Sequence, residues 1–154
     1  MGSAYKHVFE PIRIRGITFR NRLEMAPPSP NLASKDGKVT KEFVDFFRPF
    51  AMNGVGIIHV GNSIVDFENS RDEERQLDLS TDDCILPLTR FAEMCLGYGC
   101  QPSLEVNHSG KDSMRQHTGK PALAPSSYIS ARERSYAQSI GEEPIPTIAI
   151  TKEM

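Results

Sequence analysis

The chain begins with a hydrophobic pattern of period two. Residues 12–19 alternate apolar and polar side chains on both sides of Arg15-Gly16, and alternation around a glycine turn predicts a small β-hairpin. A short strand is expected next at residues 23–26. The prolines within residues 27–30 should end that strand, because proline has no N–H to donate to a ladder of hydrogen bonds.

The next segment shows the period of an α-helix. Residues 41–53 place most of their apolar side chains on one face. Thr40 is the expected N-cap, and Gly54 suits a C-terminal cap. Pro49 predicts a kink or an early stop near Arg48, since proline interrupts the hydrogen bonds of a helix interior.

A second helix is expected to start at Thr81. Pro87 is acceptable if it is the first helical residue, a position that proline favours. Gly97 or Gly99 should end it. Its expected buried face consists of Leu88, Phe91, Ala92 and Cys95.

Two further strands are expected, and the first is a short, almost continuous apolar run of the kind that is buried on both faces in a parallel sheet. The first covers residues 55–60 and is expected to end at residues 61–63. The second covers residues 101–106. Between these strands the charged segment 66–78 is predicted to be a surface loop, with a brief extended piece near Leu77.

The pattern changes after Gly110. Residues 111–154 are rich in serine, proline and charge and show no clear helical period. We expect a long loop here, with an irregular or hairpin-like excursion within residues 128–149. A helix is expected to start at Thr151.

The order of these elements predicts an α/β chain. A hairpin is followed by strand, helix, strand, helix and strand, so residues 1–110 hold about three βα units and residues 111–154 form a long loop. Strands that alternate with helices form a parallel sheet.

Charge and cysteine content narrow the function classes. The 154 residues carry a net charge of -2 with both signs mixed along the chain, which argues against nucleic acid or an anionic membrane as partner. No apolar run approaches a membrane span, and no secretory leader is seen. The three cysteines lack zinc or C-x-x-C spacing. Reduced thiols, a cytoplasmic location and no metal site are therefore expected.

Candidate chemistry lies where the three strands end. Ligands of parallel α/β folds bind at the carboxyl ends of the strands. Small residues there let a flat ligand approach the backbone, and a fixed polar group can read its edge. The candidates are Ala26, Pro27, Pro28, Ser29, Gly61, Asn62, Glu105 and His108.

Each candidate also has a structural interpretation. The prolines can form a stiff loop, Gly61 a turn, and His108 can be a hydrogen-bonded structural histidine. Ser29 has no His or Asp at motif spacing, and the sequence contains neither GxGxxG nor a P-loop motif. Hydrolase, Rossmann and P-loop sites are therefore not indicated.

Five landmarks in order make the joint pattern specific: FEPIRIRGITFRNRLEMAPPS, GVGIIHVGNS, LEVNHSG, a late APSS and ITKEM. Over nearly the whole chain they resemble the Old Yellow Enzyme family, and more closely its NADH:flavin oxidoreductase and 2,4-dienoyl-CoA reductase branch. The resemblance implies the N-terminal portion of a TIM (β/α)8 barrel that holds FMN at the carboxyl ends of its strands. The hairpin would close the bottom of that barrel.

The resemblance also implies roles for the first strand end. Ala26, Pro27, Pro28 and Ser29 would line the isoalloxazine ring of FMN. Ser29 falls where relatives carry Thr, Cys or Ser near the O4/N5 edge of the flavin.

The other two strand ends depart in part from the family pattern. Gly61 and Asn62 fall at a flavin contact where small residues are usual, and Asn62 is larger than those. Glu105 stands where many relatives have a Gln that bonds the flavin pyrimidine. A carboxylate there accepts N3–H but repels the O2 carbonyl unless it is protonated or paired. His108 matches the histidine of the family's H-A-G-R turn and is a candidate on the substrate side.

The implied function is that of an FMN-dependent NAD(P)H oxidoreductase of the ene-reductase type. NADH or NADPH reduces the flavin, and hydride passes from N5 to an activated small-molecule alkene. Relatives activate that substrate with a His/His or His/Asn pair on the fourth strand, which would lie beyond Met154. The chain is therefore expected to be an N-terminal fragment that is inactive alone.

Two other interpretations stay open. One is a non-catalytic half-barrel with residual flavin affinity, which assembles with itself or with the remainder of the barrel because an open parallel sheet exposes its edges. The other is an unrelated α/β binding domain.

Overall fold

A computed structural model describes residues 5–152. Its α-helices are α1 (Lys41–Met52), α2 (Ile85–Gly97), α3 (Arg115–Thr118) and α4 (Ala131–Ile140). Its strands are β1 (Ile12–Ile14), β2 (Ile17–Phe19), β3 (Glu24–Met25), β4 (Ile57–Ile64), β5 (Leu77–Asp78), β6 (Gln101–Asn107), β7 (Leu123–Ala124) and β8 (Ile148–Ala149). Short 3-10 turns cover Lys6–Val8, Asp82–Cys84 and Gly110–Asp112.

The predicted N-terminal hairpin is confirmed. β1 and β2 pair antiparallel with Ile12 opposite Phe19. The turn residues Arg15 and Gly16 have φ of 45° and 90°, which is the region that glycine adopts without a steric penalty.

Arg20 attaches this hairpin to the rest of the fold. Its guanidinium donates hydrogen bonds to the carbonyl oxygens of Ala51, Val55 and Tyr98, over 2.6 to 3.2 Å. These carbonyls lie at the end of α1, just before β4, and just after α2. The hairpin is therefore held at the amino ends of the parallel strands.

The main sheet is parallel, as predicted, and β4 is its centre. β3 pairs with the start of β4, with Glu24 opposite Ile57. β5 pairs with the end of β4, with Ser63 opposite Leu77. β6 runs along the other edge of β4. All carboxyl ends of these strands therefore point the same way.

The core lies between one face of this sheet and the two long helices. Phe43 and Phe47 of α1 and Phe91 of α2 form a ring triad, with centroids 5.1 to 5.8 Å apart. Ile58 and Val60 of β4 are fully buried against the same cluster. Burial of each of these five side chains stabilises the fold by roughly 1.5 to 3 kcal/mol.

The opposite face of the sheet is polar. His59 Nε2 lies 3.1 Å from the carboxylate of Glu24 on the neighbouring strand. Ser103 stands opposite His59 in the β4–β6 register. Side chains alternate along a strand, so Glu105 follows Ser103 on the same face.

The early stop expected at Pro49 is wrong. α1 begins after Thr40, whose Oγ1 accepts the Phe43 N–H over 3.0 Å as predicted for the N-cap. The helix then continues through Pro49 to Met52. Its last turn is held because Asn53 donates both its backbone N–H and its side-chain amide to the Pro49 carbonyl.

The predicted end of the second parallel strand is also wrong. β4 does not stop at residues 61–63 but continues to Ile64. The pairing with β6 shifts register between Val60 and Ser63 and then resumes, with Ser63 opposite Val106. The strand therefore accommodates Gly61 by a local irregularity in its pairing and does not end there.

The segment 66–78 is less superficial than predicted. Gln76, Leu77 and Asp78 are buried, and Leu77–Asp78 forms the strand β5. The brief extended piece expected near Leu77 is therefore confirmed. Its burial was missed because the charged residues around it dominate the local pattern.

Residues 111–152 contain more regular structure than the sequence predicted. α4 begins after Ser130, whose Oγ accepts the Glu133 N–H, and ends at Gly141 with φ 72°. β7 and β8 pair parallel across this helix, so the hairpin-like alternative is wrong. α4 buries Ala137 alone, which explains why no helical period was visible. The helix expected from Thr151 lies partly outside the described residues.

Among residues 5–152, no helix has the length and apolar character that a membrane span requires.

Candidate functional site

The ends of the three parallel strands converge at Gly61. A Cβ placed on Gly61 would lie 2.4 Å from Glu105 Oε2 and 2.8 Å from Pro27 Cβ. The Gly61 N–H donates to the Pro28 carbonyl over 3.2 Å. Residues from β4, β6 and the segment after β3 thus meet within van der Waals distance, which is the grouping that the sequence predicted.

The small size of Gly61 serves this convergence directly. Any side chain here would displace the Glu105 carboxylate and press on Pro27, so glycine is what allows the three strand ends to close together. The sequence predicts that this space admits a flat ligand. In the structure it is bounded by Glu105 and Pro27, and a contact of Gly61 with a flavin stays a prediction.

Pro27, Pro28, Gly61 and Glu105 together form what we call the wall of the candidate site. Ser29 follows the two prolines and extends this wall. Its hydroxyl donates a hydrogen bond to Glu73 Oε2 over 2.6 Å. Ser29 and its neighbours Ala26 and Pro27 are exposed, and Pro28 is half-buried. The hydroxyl proton of Ser29 is therefore already used in a hydrogen bond to the carboxylate of Glu73, which lies in the segment 66–78.

The carboxylate of Asp72 connects the remaining segments of the site to one another. Asp72 Oδ1 accepts hydrogen bonds from Asn62 Nδ2 over 3.1 Å, from Ser109 Oγ over 2.9 Å and from Gln76 Nε2. Asp72 Oδ2 accepts from the guanidinium of Arg132 over 3.0 Å. The segment after β4 is thereby joined to the end of β6 and to α4.

Asp72 also sets the orientation of the Asn62 amide. Because Nδ2 donates to Asp72, the carbonyl oxygen Oδ1 occupies the other position. That oxygen is buried and has no hydrogen-bond partner within residues 5–152. A buried acceptor without a partner costs free energy, so it indicates a place where an N–H donor would bind favourably.

His108 is held by its own turn. Its Nδ1 accepts the Gly110 N–H over 3.1 Å, which leaves the ring proton on Nε2 when the ring is neutral. That nitrogen lies 3.8 Å from Asp66 Oδ2. The structural interpretation accounts for these contacts, and the substrate-side role of His108 stays a prediction.

Sequence reasoning missed the residues that support the wall. They are Asp72, Glu73, Gln76 and Arg132. The first three sit in a segment that reads as a charged loop, and the fourth sits in a helix with little hydrophobic periodicity. No local pattern distinguishes them from solvated charges, because their partners are far away along the chain.

Metal ligation finds no support in the part of the chain that the structure describes. There, no group of three or more His, Cys, Asp or Glu side chains is arranged to hold a metal ion. The three cysteines are free thiols.

Comparison with known proteins gives a consistent result. The model of the NADH:flavin oxidoreductase / NADH oxidase family matches residues 7–153. The chain is 31% identical to the NADH oxidase of Thermoanaerobacter brockii over 123 residues, which is 79% of this chain and 19% of that protein. It is 28% identical to the cinnamate reductase of Clostridium sporogenes over 134 residues, which is 82% of this chain and 20% of that protein.

The fold is shared with a solved structure. The crystal structure of Old Yellow Enzyme from Pichia sp. AKU4542 superposes with a TM-score of 0.79 at 21% identity, over 96% of this chain and 38% of that chain. This likeness confirms the predicted fold class, the N-terminal portion of a TIM (β/α)8 barrel. The chain spans about a fifth of the length of the curated relatives named above.

Proposed function

The chain belongs to the NADH:flavin oxidoreductase / NADH oxidase family, and from that premise we propose that its strand ends form one wall of an FMN site. The oxidoreductase takes its electrons from NADH or NADPH and reduces an activated small-molecule alkene, as an ene-reductase does. The convergence of Pro27, Gly61 and Glu105 carries this proposal.

The residues present fit a flavin ring in shape and in hydrogen-bonding character. Pro27 and Pro28 make a rigid edge without N–H groups of their own. Glu105 and the unpartnered Asn62 Oδ1 are acceptors. The pyrimidine edge of a flavin carries one N–H donor, N3–H, between two carbonyl groups, so an acceptor on this wall matches the centre of that edge.

Glu105 gives the wall a charge that a glutamine would lack. An ionised carboxylate accepts N3–H strongly, because charge-assisted hydrogen bonds are about twice as strong as neutral ones. It offers no donor to the carbonyls on either side. Donors for those carbonyls would come from the remainder of the barrel.

Bound FMN would supply two-electron hydride chemistry between the nicotinamide and the acceptor. The chain's own part is to hold the ring. The rigid proline edge orients it, Glu105 and Asn62 bind its polar edge, and Asp72 keeps the Asn62 amide in the binding orientation.

The proposal also specifies the electron acceptor, an activated alkene. One relative is named for cinnamate, whose double bond is conjugated to a carboxyl group, and this supports an activated alkene as acceptor. Another is named as an NADH oxidase, so members with similar sequence differ in acceptor. We place His108 on the substrate side of the wall and the protein in the cytoplasm.

The chain is proposed to be inactive alone. It spans about a fifth of the length of the two curated relatives named above, and the resemblance puts the substrate-activating pair on a fourth strand. Turnover of an enone with NADPH and FMN by the purified 154-residue chain would contradict this.

Flavin titration tests the site itself. FMN and riboflavin are added to the full chain, and binding is followed by the change in flavin fluorescence. We expect weak binding with similar affinity for both, because the described wall contacts the ring and the phosphate belongs elsewhere. A strong preference for FMN would contradict this division.

Two matched variants sharpen the test. Glu105→Gln keeps the size of the side chain and still accepts N3–H, although through a weaker, uncharged bond. It removes the repulsion between the carboxylate and the neighbouring flavin carbonyl and adds a donor for that carbonyl, and because these two gains outweigh the loss we expect several-fold tighter binding. Glu93→Gln makes the same chemical change on the exposed side of α2 and should leave binding unchanged. Equal affinities for wild type, Glu105→Gln and Glu105→Ala would show that Glu105 does not touch the ring.

A second candidate function rests on the open edge of the sheet. Within residues 5–152, β6 pairs with β4 alone, and Val106 on β6 is 64% exposed. A parallel edge of this kind can pair with another chain. A non-catalytic half-barrel that binds a second copy of itself would form a defined oligomer, which light scattering detects. A monomer at all concentrations would exclude self-assembly and leave the remainder of the barrel as the partner of this edge.

A further inference from the structure

The end of α2 is closed by a helix cap that brings two cysteines together. The Cys100 N–H donates to the Cys95 carbonyl over 3.0 Å, and the Gly99 N–H donates to the Leu96 carbonyl over 2.9 Å. Gly99 between them has φ 71°. This pair of bonds, with a left-handed glycine, is the Schellman motif, in which the residues at the two ends of the cap contact each other. Here both of those residues are cysteines.

The backbone hydrogen bond limits the separation of the pair. With standard bond lengths and an N–O distance of 3.0 Å, the Cα atoms of Cys95 and Cys100 lie within roughly 7 Å of each other. Disulfides span Cα separations up to about that value. Both side chains are fully buried in the same core cluster. The geometry therefore permits a bond between the two sulfur atoms.

The two thiols are chemically unequal. The hydrogen bond from Cys95 lowers the pKa of Cys100, burial opposes that shift, and the positive charge of Arg20 supports it. The hydrogen bond with Cys100, together with burial, raises the pKa of Cys95. Cys100 is thus the better nucleophile, and Cys95 keeps its proton until a second step, which is the division of roles in a reactive dithiol.

We propose that Cys95 and Cys100 form a redox-active dithiol that closes to an intrachain disulfide on reaction with a small-molecule disulfide. The Cys100 thiolate attacks one sulfur of the oxidant RSSR, whose S–S bond breaks and releases a thiolate that takes up a proton. The Cys95 thiol then loses its proton, attacks the Cys100 sulfur and displaces the second thiol. Two protein thiols are oxidised, and RSSR is reduced to two RSH.

Access to this pair comes through the cap. Residues 96–99, which connect the two cysteines along the chain, are exposed, and a helix end opens locally more readily than a core strand. The pair precedes β6, whereas Glu105 lies near the other end of that strand. The dithiol is therefore separate from the proposed flavin site, and its chemistry does not depend on the proposed function.

Oxidation of the full chain with glutathione disulfide tests the proposal. We expect the intact protein to lose two hydrogen atoms without a retained glutathione, and the thiols titrated after denaturation to fall by two from the initial three. Peptide mapping should join Cys95 to Cys100. The proposal is overturned if Cys95 and Cys100 both remain free thiols, whether or not Cys84 reacts.

Three serine variants resolve the order of the steps. Cys84→Ser should still close the disulfide, because Cys84 lies outside the pair. Cys95→Ser should stop at a stable glutathione adduct on Cys100, since the resolving thiol is gone. Cys100→Ser should leave Cys95 unmodified. An adduct on Cys95 in that last variant would contradict the assigned roles, and the wild type and Cys84→Ser decide the proposal if a core variant does not fold.

Discussion

Asn62 Nδ2 donates a hydrogen bond to Asp72 Oδ1 over 3.1 Å, and this bond ties the end of β4 to the segment that follows it. The Asp72 side chain is 14% exposed and receives three further donors. One carboxylate thus decides both the position of the strand end and the orientation of an amide at the candidate site.

Asp72→Asn tests this role. The variant keeps the size of the side chain but cannot accept all four hydrogen bonds, so buried donors lose their partner. We expect the free energy of unfolding to fall by about 2 to 4 kcal/mol, given the usual value of hydrogen bonds to charged groups. Urea denaturation measures it. Asp112→Asn is the control: its partner Lys111 is exposed, and a loss below about 0.5 kcal/mol is expected. Equal losses in the free energy of unfolding would show that Asp72 contributes no more to stability than an exposed carboxylate.

Gly61→Ala tests the close approach of the strand ends. The added methyl would lie 2.4 Å from Glu105 Oε2 and 2.8 Å from Pro27 Cβ, so both must move. Overpacking of this kind costs about 1 to 3 kcal/mol, and combining it with Glu105→Ala should recover part of that loss.

Gly97→Ala provides the comparison for that substitution. Gly97 is exposed in α2, and a Cβ there meets nothing within 4 Å. Alanine at such a helical position stabilises by about 0.5 to 1 kcal/mol. The two glycine variants should therefore shift the urea midpoint in opposite directions, and a stabilising Gly61→Ala would show that the strand ends are not tightly packed.

Phe47→Ala tests the aromatic core. The ring is fully buried between Phe43 and Phe91, so its removal leaves a cavity and costs about 3 to 5 kcal/mol. The neighbouring Phe46 is 38% exposed, and Phe46→Ala should cost about 1 kcal/mol, the contribution of an aromatic pair. Thermal unfolding followed by circular dichroism compares them. Similar losses would mean that α1 does not bury the face described.

His117 makes stability depend on pH. Burial lowers the pKa of His117 below its usual 6.5, and the charge of Arg71 acts in the same direction. Below pH 6.5 the unfolded chain binds a proton that the folded chain still excludes. The free energy of unfolding contributed by this group is therefore full above pH 6.5 and is lost as the pH falls through the lowered pKa.

His117→Gln removes this titration. Urea midpoints at pH 7.5 and at pH values below 6.5 should decline less with acidification in the variant than in the wild type. Parallel declines would show that other groups account for the acid sensitivity.

Several elements were predictable because their signals are local. The hairpin follows from alternation around Arg15-Gly16, and the start of α1 follows from the Thr40 side chain. Period and capping act within a few residues, so they can be read without knowing what packs where.

Other elements were missed because tertiary contacts override local rules. α1 passes Pro49 since Phe47 and Ala51 are buried on either side of it. β4 passes Gly61 since two neighbouring strands hold its far end. α4 shows little periodicity because it covers the fold with a single buried alanine.

The sequence alone therefore determined the order of the main strands and helices up to residue 110, the fold class and the strand ends at which chemistry would lie. The tertiary structure decided how those ends meet: Glu105 against Gly61, and Asp72 as the acceptor shared by Asn62, Ser109 and Arg132. The physical reason is the separation along the chain of the residues that interact. Hydrophobic period and caps are set by neighbours in the chain, whereas the packing of a carboxylate against a glycine 44 positions away depends on the parallel sheet that first brings their strands together.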